Sequence, residues 1–73
     1  MEIVSFVFLK RLDWKWYNAE NWLRSIGART ILQNYSNRLV YDQHDPKLFH
    51  SWSFRTVRLE NTRGVRAIVG KRI

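Results

Sequence analysis

The sequence predicts a single small α+β domain, residues 1–73, in which one helix packs on a small, mainly antiparallel sheet in the order β-α-β-β-β. Three observations predict this class: a long apolar strand pattern, then one amphipathic helix pattern, then two short strand patterns around a turn. The 73 residues leave room for one core, and the 45% hydrophobic content is high enough for the chain to fold.

The first strand is predicted over residues 2–10, where β-branched and aromatic residues dominate. Its side chains alternate onto two faces, which hold Val4, Phe6 and Phe8 on one side and Ile3, Ser5, Val7 and Leu9 on the other. A strand that is apolar on both faces is typical of the middle of a sheet, covered on both sides or buried at a dimer contact. We therefore expect this strand at the centre of the sheet, in a monomer or a homodimer.

The helix is predicted over residues 14–27. Its buried stripe follows the i, i+3, i+4, i+7 spacing and consists of Ala19, Trp22, Leu23 and Ile26. Gly27 comes directly after this stripe, where a left-handed residue commonly ends a helix. Asp13 and Asn18 are the two candidates for the residue that caps its start.

A second strand is predicted within residues 28–43, with its core at 38–41. The polar stretch 33–37 is rich in turn-forming residues, so we expect an approach loop or a frayed edge there. Asp45–Pro46 ends the strand, because proline cannot donate to a sheet ladder.

A hairpin is predicted over residues 53–72, with strands at 54–59 and 65–69 around the connection 60–64. The last nineteen positions of the chain, residues 55–73, hold one carboxylate, that of Glu60. They also hold six cations: Arg55, Arg58, Arg63, Arg66, Lys71 and Arg72. Guanidinium groups along one side of a two-stranded ribbon favour contact with phosphate. The candidate nucleic-acid-binding residues are therefore Arg58, Arg63, Arg66, Lys71 and Arg72. An acidic protein surface as partner, and a solvated face without a partner, are the alternatives.

Aromatic residues crowd the start of the helix. Trp14, Trp16 and Tyr17 cannot all be buried by one short helix, so we expect one or two of them at the surface and take all three as a candidate protein interface. Exposed aromatic rings among cations are also typical of a stacking platform for single-stranded nucleic acid. Four other bulky rings are predicted to fill the core: Trp22, Phe6, Phe8 and Phe54.

Composition and motifs argue against an enzyme. The chain has 13 Lys and Arg against 6 Asp and Glu, a formal net charge of +7, and no cysteine, which excludes a disulfide scaffold and thiolate metal sites. It has no Gly-rich phosphate loop and no nucleophile motif, so we expect no catalysis, no cofactor and no small-molecule substrate. Two histidines lie near carboxylates in Asp42-x-His44-Asp45 and His50, but this spacing matches no metal motif, and we expect no metal there. Instead, we expect a solvated loop in which Asp45 accepts local backbone bonds.

Several motifs occur in a fixed order along most of the chain: Phe8 and Trp14, then Ala19-x-x-Trp22-Leu23-x-x-x-Gly27, Tyr41-x-Gln43-x-Asp45-Pro46-x-x-Phe49, Phe54-Arg55-Thr56-Val57-x-Leu59, and Gly64-Val65-Arg66-Ala67-Ile68-Val69-Gly70-Lys71. In this order they resemble a small domain of tailed bacteriophages and prophages, which occurs alone or attached to head-morphogenesis and capsid-protease proteins. The chain departs from that pattern in the segment after Gly27 and in its five-residue hairpin turn. The resemblance implies a viral origin and a binding or structural role, and it implies no activity.

The polar residues of these motifs also predict a structural contact. Gln43 and Arg55 are expected to be partly buried, and a buried polar group needs partners. A pair between Arg55 and Asp45 or Asp42 would brace the loop against the hairpin, since a charge near a core is costly unless it is paired. A recognition site made of Gln43, Asp45 and Arg55 is the alternative.

Together these observations favour a non-enzymatic, phage-encoded accessory domain that contacts nucleic acid or an assembling virion through its basic hairpin face. The alternative is a small phage protein that binds and inhibits or redirects a host enzyme through the exposed aromatic edge. No stretch approaches the roughly 20 apolar residues of a transmembrane helix. Because Lys10 and Arg11 follow the first apolar run instead of preceding it, the start does not match a signal peptide. We therefore expect no membrane contact, and a location in the host cytoplasm or on the virion.

Overall fold

A five-stranded sheet carries one helix on one of its faces in the computed structural model, which describes residues 1–60 and 62–73. In chain order the elements are β1 (Glu2–Leu9), α1 (Trp16–Ser25), β2 (Ile31–Asn34), β3 (Arg38–Asp42), β4 (Arg55–Arg58) and β5 (Val65–Gly70). The strand order is β2-β3-β1-β5-β4, and all neighbouring strands are antiparallel. This confirms the α+β class, with one strand more than predicted. Among the described residues, no helix is both long and apolar enough to cross a membrane.

The central position of β1 follows from its apolar residues on both faces, as predicted. Val7 lies opposite Val40 of β3 on one side and opposite Arg66 of β5 on the other. The register with β5 shifts between Ile3 and Ser5, so Val4 is the extra residue of a β-bulge.

The bulge changes which neighbours Val4 contacts. A Cβ atom placed on Gly70 would lie 3.2 Å from Val4 Cγ2 and 3.0 Å from the Phe54 ring. Val4 therefore packs with Phe54, instead of sharing a face with Phe6 and Phe8 as the alternation predicted. Phe54 is 36% exposed and also contacts the Phe49 ring, so it does not belong to the main core.

The main core lies between α1 and the sheet. Its buried members are Phe6, Phe8, Ala19, Leu23, Leu39, Tyr41, Val65 and Ala67. The Phe8 ring is the centre of an edge-to-face cluster, with ring centroids 4.9 Å from Trp14, 5.7 Å from Trp22 and 5.5 Å from Tyr41. Burial, together with the negative charge of Glu20, raises the pKa of Tyr41 to about 12, so its hydroxyl stays protonated at physiological pH.

Both ends of α1 are fixed by local hydrogen bonds. At the start, the Asn18 side chain accepts a hydrogen bond from the backbone N–H of Lys15 at 2.7 Å. Asn18 therefore caps the helix from a position within its first turn. At the end, Gly27 has φ +72°, and Ala28 N–H donates to Leu23 O at 2.9 Å, which confirms the predicted C-terminal motif. Ile26, predicted in the buried stripe, is 53% exposed, because it comes after the last helical turn.

The polar stretch predicted as a loop contains part of a strand. β2 pairs with β3 through Asn34, and only residues 35–37 form the turn between them. β2 is at the edge of the sheet, where polar side chains such as Gln33 point to solvent and their alternation with apolar residues is weak. The sequence pattern of this strand is therefore too faint to distinguish from a loop.

β4 forms the other edge of the sheet, and all four of its residues are exposed. It pairs with β5 as the predicted hairpin. The predicted connection 60–64 includes Asn61, which lies outside the described residues. Gly64 ends this connection with φ +80°, and its carbonyl accepts from Leu9 N–H at 2.9 Å, which ties the hairpin to the end of β1.

Candidate nucleic-acid interface

Cations from four separate segments meet at one end of the sheet. Antiparallel pairing brings the end of β1 beside the starts of β3 and β5 and beside the end of β4. The resulting cluster, which we call the basic end, consists of Lys10, Arg11, Arg38, Arg58, Arg63 and Arg66. Two carboxylates, those of Asp13 and Glu60, lie in the same connections. Sequence reasoning missed Lys10, Arg11 and Arg38, although each adjoins a strand end that antiparallel pairing would bring here.

Three of the predicted candidates share one groove. Arg58, Arg63 and Arg66 line a depression of about 500 Å³, together with Leu12 and Leu59. Arg58 lies directly opposite Arg66 on the paired strands. Like charges in directly opposite positions repel each other. Glu60 lines the same depression. Within residues 1–60 and 62–73 the ion pairs are Arg24–Glu20 and Arg72–Glu2, so Glu60 forms no ion pair with these arginines.

The structure places the other two candidates far from this groove. Lys71 and Arg72 follow β5, which runs for six residues, or roughly 20 Å, away from the basic end. Arg72 donates two hydrogen bonds to the Glu2 carboxylate, at 2.8 and 2.7 Å, and its guanidinium lies 5.1 Å from the Phe49 ring centroid. The same pair lowers the pKa of Glu2. Arg72 is thus an ion-pair partner, and Lys71 lies exposed beside it.

The aromatic residues before and within the first turn of α1 divide into two groups. Trp16 is 56% exposed and Tyr17 is 50% exposed, and their rings meet edge to face at 5.6 Å. This confirms that one or two of the three aromatic residues reach the surface. Trp14 instead packs against Phe8, and its indole N–H donates to Arg63 O at 2.8 Å. Trp14 therefore belongs to the contact between the core and the hairpin loop.

The polar residues of the predicted brace have other partners than the hairpin. Gln43 accepts from Arg29 N–H at 2.8 Å and donates to Arg29 O at 2.9 Å, so it does tie two segments together. Asp45 accepts from Lys47 N–H at 3.0 Å, the local backbone bond expected of an aspartate before proline. Asp42 accepts from Ser5 Oγ at 2.6 Å.

The prediction that Arg55 pairs with Asp42 or Asp45 is wrong. β1 and β5 separate the end of β3 from β4, which puts Arg55 three strand spacings, or about 14 Å, from Asp42. Arg55 is an exposed residue on the edge strand. The resemblance of motifs gave no information about which polar residues are spatial neighbours.

Gln43→Ala is expected to lower the free energy of unfolding by about 1–2 kcal/mol, because it removes two hydrogen bonds to the backbone of Arg29. Arg55→Ala is the matched control and should change it by no more than about 0.5 kcal/mol, since it truncates an exposed side chain. Urea unfolding of the two variants measures both quantities. A larger loss for Arg55→Ala would favour a brace through Arg55 instead.

The two histidines have separate partners. His44 Nδ1 lies 3.1 Å from Ile3 O, and the His50 ring stacks on Trp52 at 5.1 Å. In the part of the chain that the structure describes, no group of three or more His, Cys, Asp or Glu side chains could hold a metal ion. Trp52 is 73% exposed, and sequence reasoning did not take it as a candidate. Its position between two serines, Ser51 and Ser53, was the feature of the sequence that could have indicated an exposed ring.

Comparison of the chain with family models, with curated proteins and with solved structures gives no match. The functional inference therefore depends on the charges, aromatic rings and grooves described above.

Proposed function

We propose that the chain is a non-enzymatic, phage-encoded accessory domain that binds nucleic acid, free or within an assembling virion, through its basic end. The phage origin rests on the motif resemblance. The binding role rests on one observation: Arg58 and Arg66 lie directly opposite each other and share a groove with Arg63. A phosphate placed there would relieve their mutual repulsion, and planar guanidinium groups suit bidentate contact with phosphate oxygens.

Such contacts would be made mainly to the nucleic-acid backbone. Phosphate contacts fix position without reading sequence, so we expect similar affinity for unrelated sequences of one strand type. Each neutralised phosphate releases counterions, which makes the affinity fall steeply as salt rises. The formal net charge of +7 adds long-range attraction at low ionic strength.

Charge reversal in the groove, Arg63→Glu with Arg66→Glu, should weaken binding to all sequences alike. It should also reduce the slope of log K against log salt by roughly 0.7–0.9 for each phosphate that the variant no longer neutralises. Fluorescence anisotropy with labelled oligonucleotides over a salt series measures both effects. The control, Arg55→Glu with Lys71→Glu, makes the same change in net charge at exposed positions outside the groove.

Two results would contradict the proposal. Equal losses of oligonucleotide affinity in the groove variant and in the control variant would mean that binding depends only on net charge. Absence of wild-type binding below tens of micromolar at low salt would remove the function itself, because non-specific binders typically reach Kd values of about 10⁻⁴ to 10⁻⁶ M even at physiological salt.

A second candidate function is suggested by the exposed Trp16–Tyr17 pair, since large exposed aromatic side chains are typical of protein interfaces. In that case the chain would bind and inhibit or redirect a host enzyme. Such an interface would be much less sensitive to salt than phosphate contact. A host protein captured from lysate by the wild type, retained after nuclease treatment and no longer captured by Trp16→Ala with Tyr17→Ala, would favour this function.

A further inference from the structure

We infer that the ligand is unpaired nucleic acid, whose bases stack on Trp16 and Tyr17 while its phosphates lie along the basic end. This inference rests on the proposed function and specifies its ligand. It follows from a second groove on the helix side of the sheet, the aromatic groove, lined by the rings of Trp14, Trp16 and Tyr17 with Lys10, Lys15 and Asn34.

The aromatic groove has the composition of a single-strand binding surface. It measures about 340 Å³, and none of the described residues that line it is a carboxylate. Two cations, Lys10 and Lys15, flank rings that are half exposed, so a base and its phosphate would find partners side by side. Base stacking on aromatic rings tolerates any sequence, because every base has a π face. An anionic, aromatic ligand is therefore a better match than an acidic protein surface, which would leave the exposed rings without a stacking partner.

Lys10 is held in place before any ligand arrives. Its Nζ donates to Asn34 Oδ1 at 2.6 Å and to Tyr35 O at 2.5 Å. A lysine ammonium has three donors, so one N–H is still available to a phosphate. The cation needs little ordering upon binding, which lowers the entropic cost of association.

The two grooves are neighbours, although none of the described residues lines both. We call the depression lined by Arg58, Arg63 and Arg66 the basic groove. The short turn after β1 contributes Lys10 to the aromatic groove and Leu12 to the basic groove. Trp14 lines the aromatic groove, and its N–H donates to the backbone of Arg63 in the basic groove. A single strand can follow this path with bases on the rings and phosphates on the arginines. A duplex keeps its bases stacked inside and can use only the cations.

The test compares three labelled ligands of about twelve nucleotides: oligo-dT, oligo-rU and a mixed-sequence DNA duplex. Trp16→Ala with Tyr17→Ala should weaken single-strand binding about ten-fold or more, since each base stacked on an aromatic ring contributes on that scale. The affinity of this variant for the duplex should stay within about two-fold of the wild-type affinity.

Two controls separate stacking from folding. Trp16→Phe keeps an aromatic ring and should retain most of the single-strand affinity. Trp52→Ala removes a more exposed tryptophan near Lys71, at the opposite end of β5, and should change neither affinity. Thermal melts of all variants should match the wild type, because the truncated side chains are exposed.

The outcomes distinguish this inference from the proposed function. Equal loss for single strands and duplex, or no loss for either, overturns the stacking inference, while charge reversal at Arg63 and Arg66 still tests the basic end. Unchanged single-strand affinity together with loss of a nuclease-resistant host partner would make Trp16 and Tyr17 a protein interface. Failure of the wild type to bind any of the three ligands overturns both proposals.

Discussion

Replacing Phe8 by alanine should lower the free energy of unfolding by about 3–5 kcal/mol, the usual cost of removing a large buried aromatic ring. Phe8 is fully buried on the central strand, and its ring contacts Trp14, Trp22 and Tyr41. At roughly 0.05–0.15 kcal/mol per residue, a domain of this size is stabilised by only about 4–11 kcal/mol. Phe8→Ala should therefore lose at least about a quarter of this stability, and all of it at the lower end of the range, which circular dichroism and urea unfolding would show.

Trp22→Ala is the informative comparison. The sequence predicted Trp22 at the centre of the core, but it is only partly buried and rests edge-on against Phe6 and Phe8, with ring centroids at 5.4 and 5.7 Å. We expect a smaller loss than for Phe8→Ala. A larger loss would show that the helix, and not the central strand, organises the core.

Gly64→Ala should have the second largest effect, a loss of about 2–5 kcal/mol. Alanine is strained at φ +80°, which costs roughly 1–2 kcal/mol. Its Cβ would also lie 2.9 Å from Trp14 Nε1 and 3.0 Å from Leu12, and overpacking of this kind costs a further 1–3 kcal/mol or so.

Gly27→Ala isolates the strain from the clash. Gly27 has a similar φ of +72°, but apart from Gly27 and its two chain neighbours, no described residue has an atom within 4 Å of the position its Cβ would occupy. Gly27→Ala should therefore lower the free energy of unfolding only by the backbone strain, about 1–2 kcal/mol. Because Gly64 lines the groove of Arg58, Arg63 and Arg66 and its new Cβ would press on Trp14 of the aromatic groove, Gly64→Ala should also reduce oligonucleotide affinity, whereas Gly27→Ala should not. Equal thermal shifts for the two variants would show that the Trp14 ring moves aside freely.

Strong local signals made much of the fold predictable. The two-faced apolar run of β1 is typical of a central strand. Gly27 comes directly after a clear helical stripe. β2 was not predictable, because the chain there is an edge strand whose residues Gln33 and Asn34 are as polar as a turn. Ile26 fitted the helical spacing, but the position of the last turn depends on the hydrogen bond from Ala28 to Leu23.

The candidate site was predictable only where its members are neighbours on one hairpin. Arg58 and Arg66 were brought together by a local pairing that the turn already implied. Arg72 was grouped with them because it is close in sequence, but its partner Glu2 is seventy positions away and no sequence pattern links the two. Lys10 likewise reaches its place through pairing between distant strands. The number of cations in a segment therefore does not show which of them share one surface.

The exposed edge of β4 has a further consequence, for self-association. Its unpaired backbone N–H and C=O groups are a template on which a second chain could extend the sheet, the usual route by which open edges cause aggregation. Arg55 and Arg58 stand at the two ends of this strand, so a second copy aligned along it would bring like charges together. Arg58, which we propose contacts phosphate, should thus also disfavour edge-to-edge association in the absence of nucleic acid. Neutralising Arg58 should weaken both properties at once.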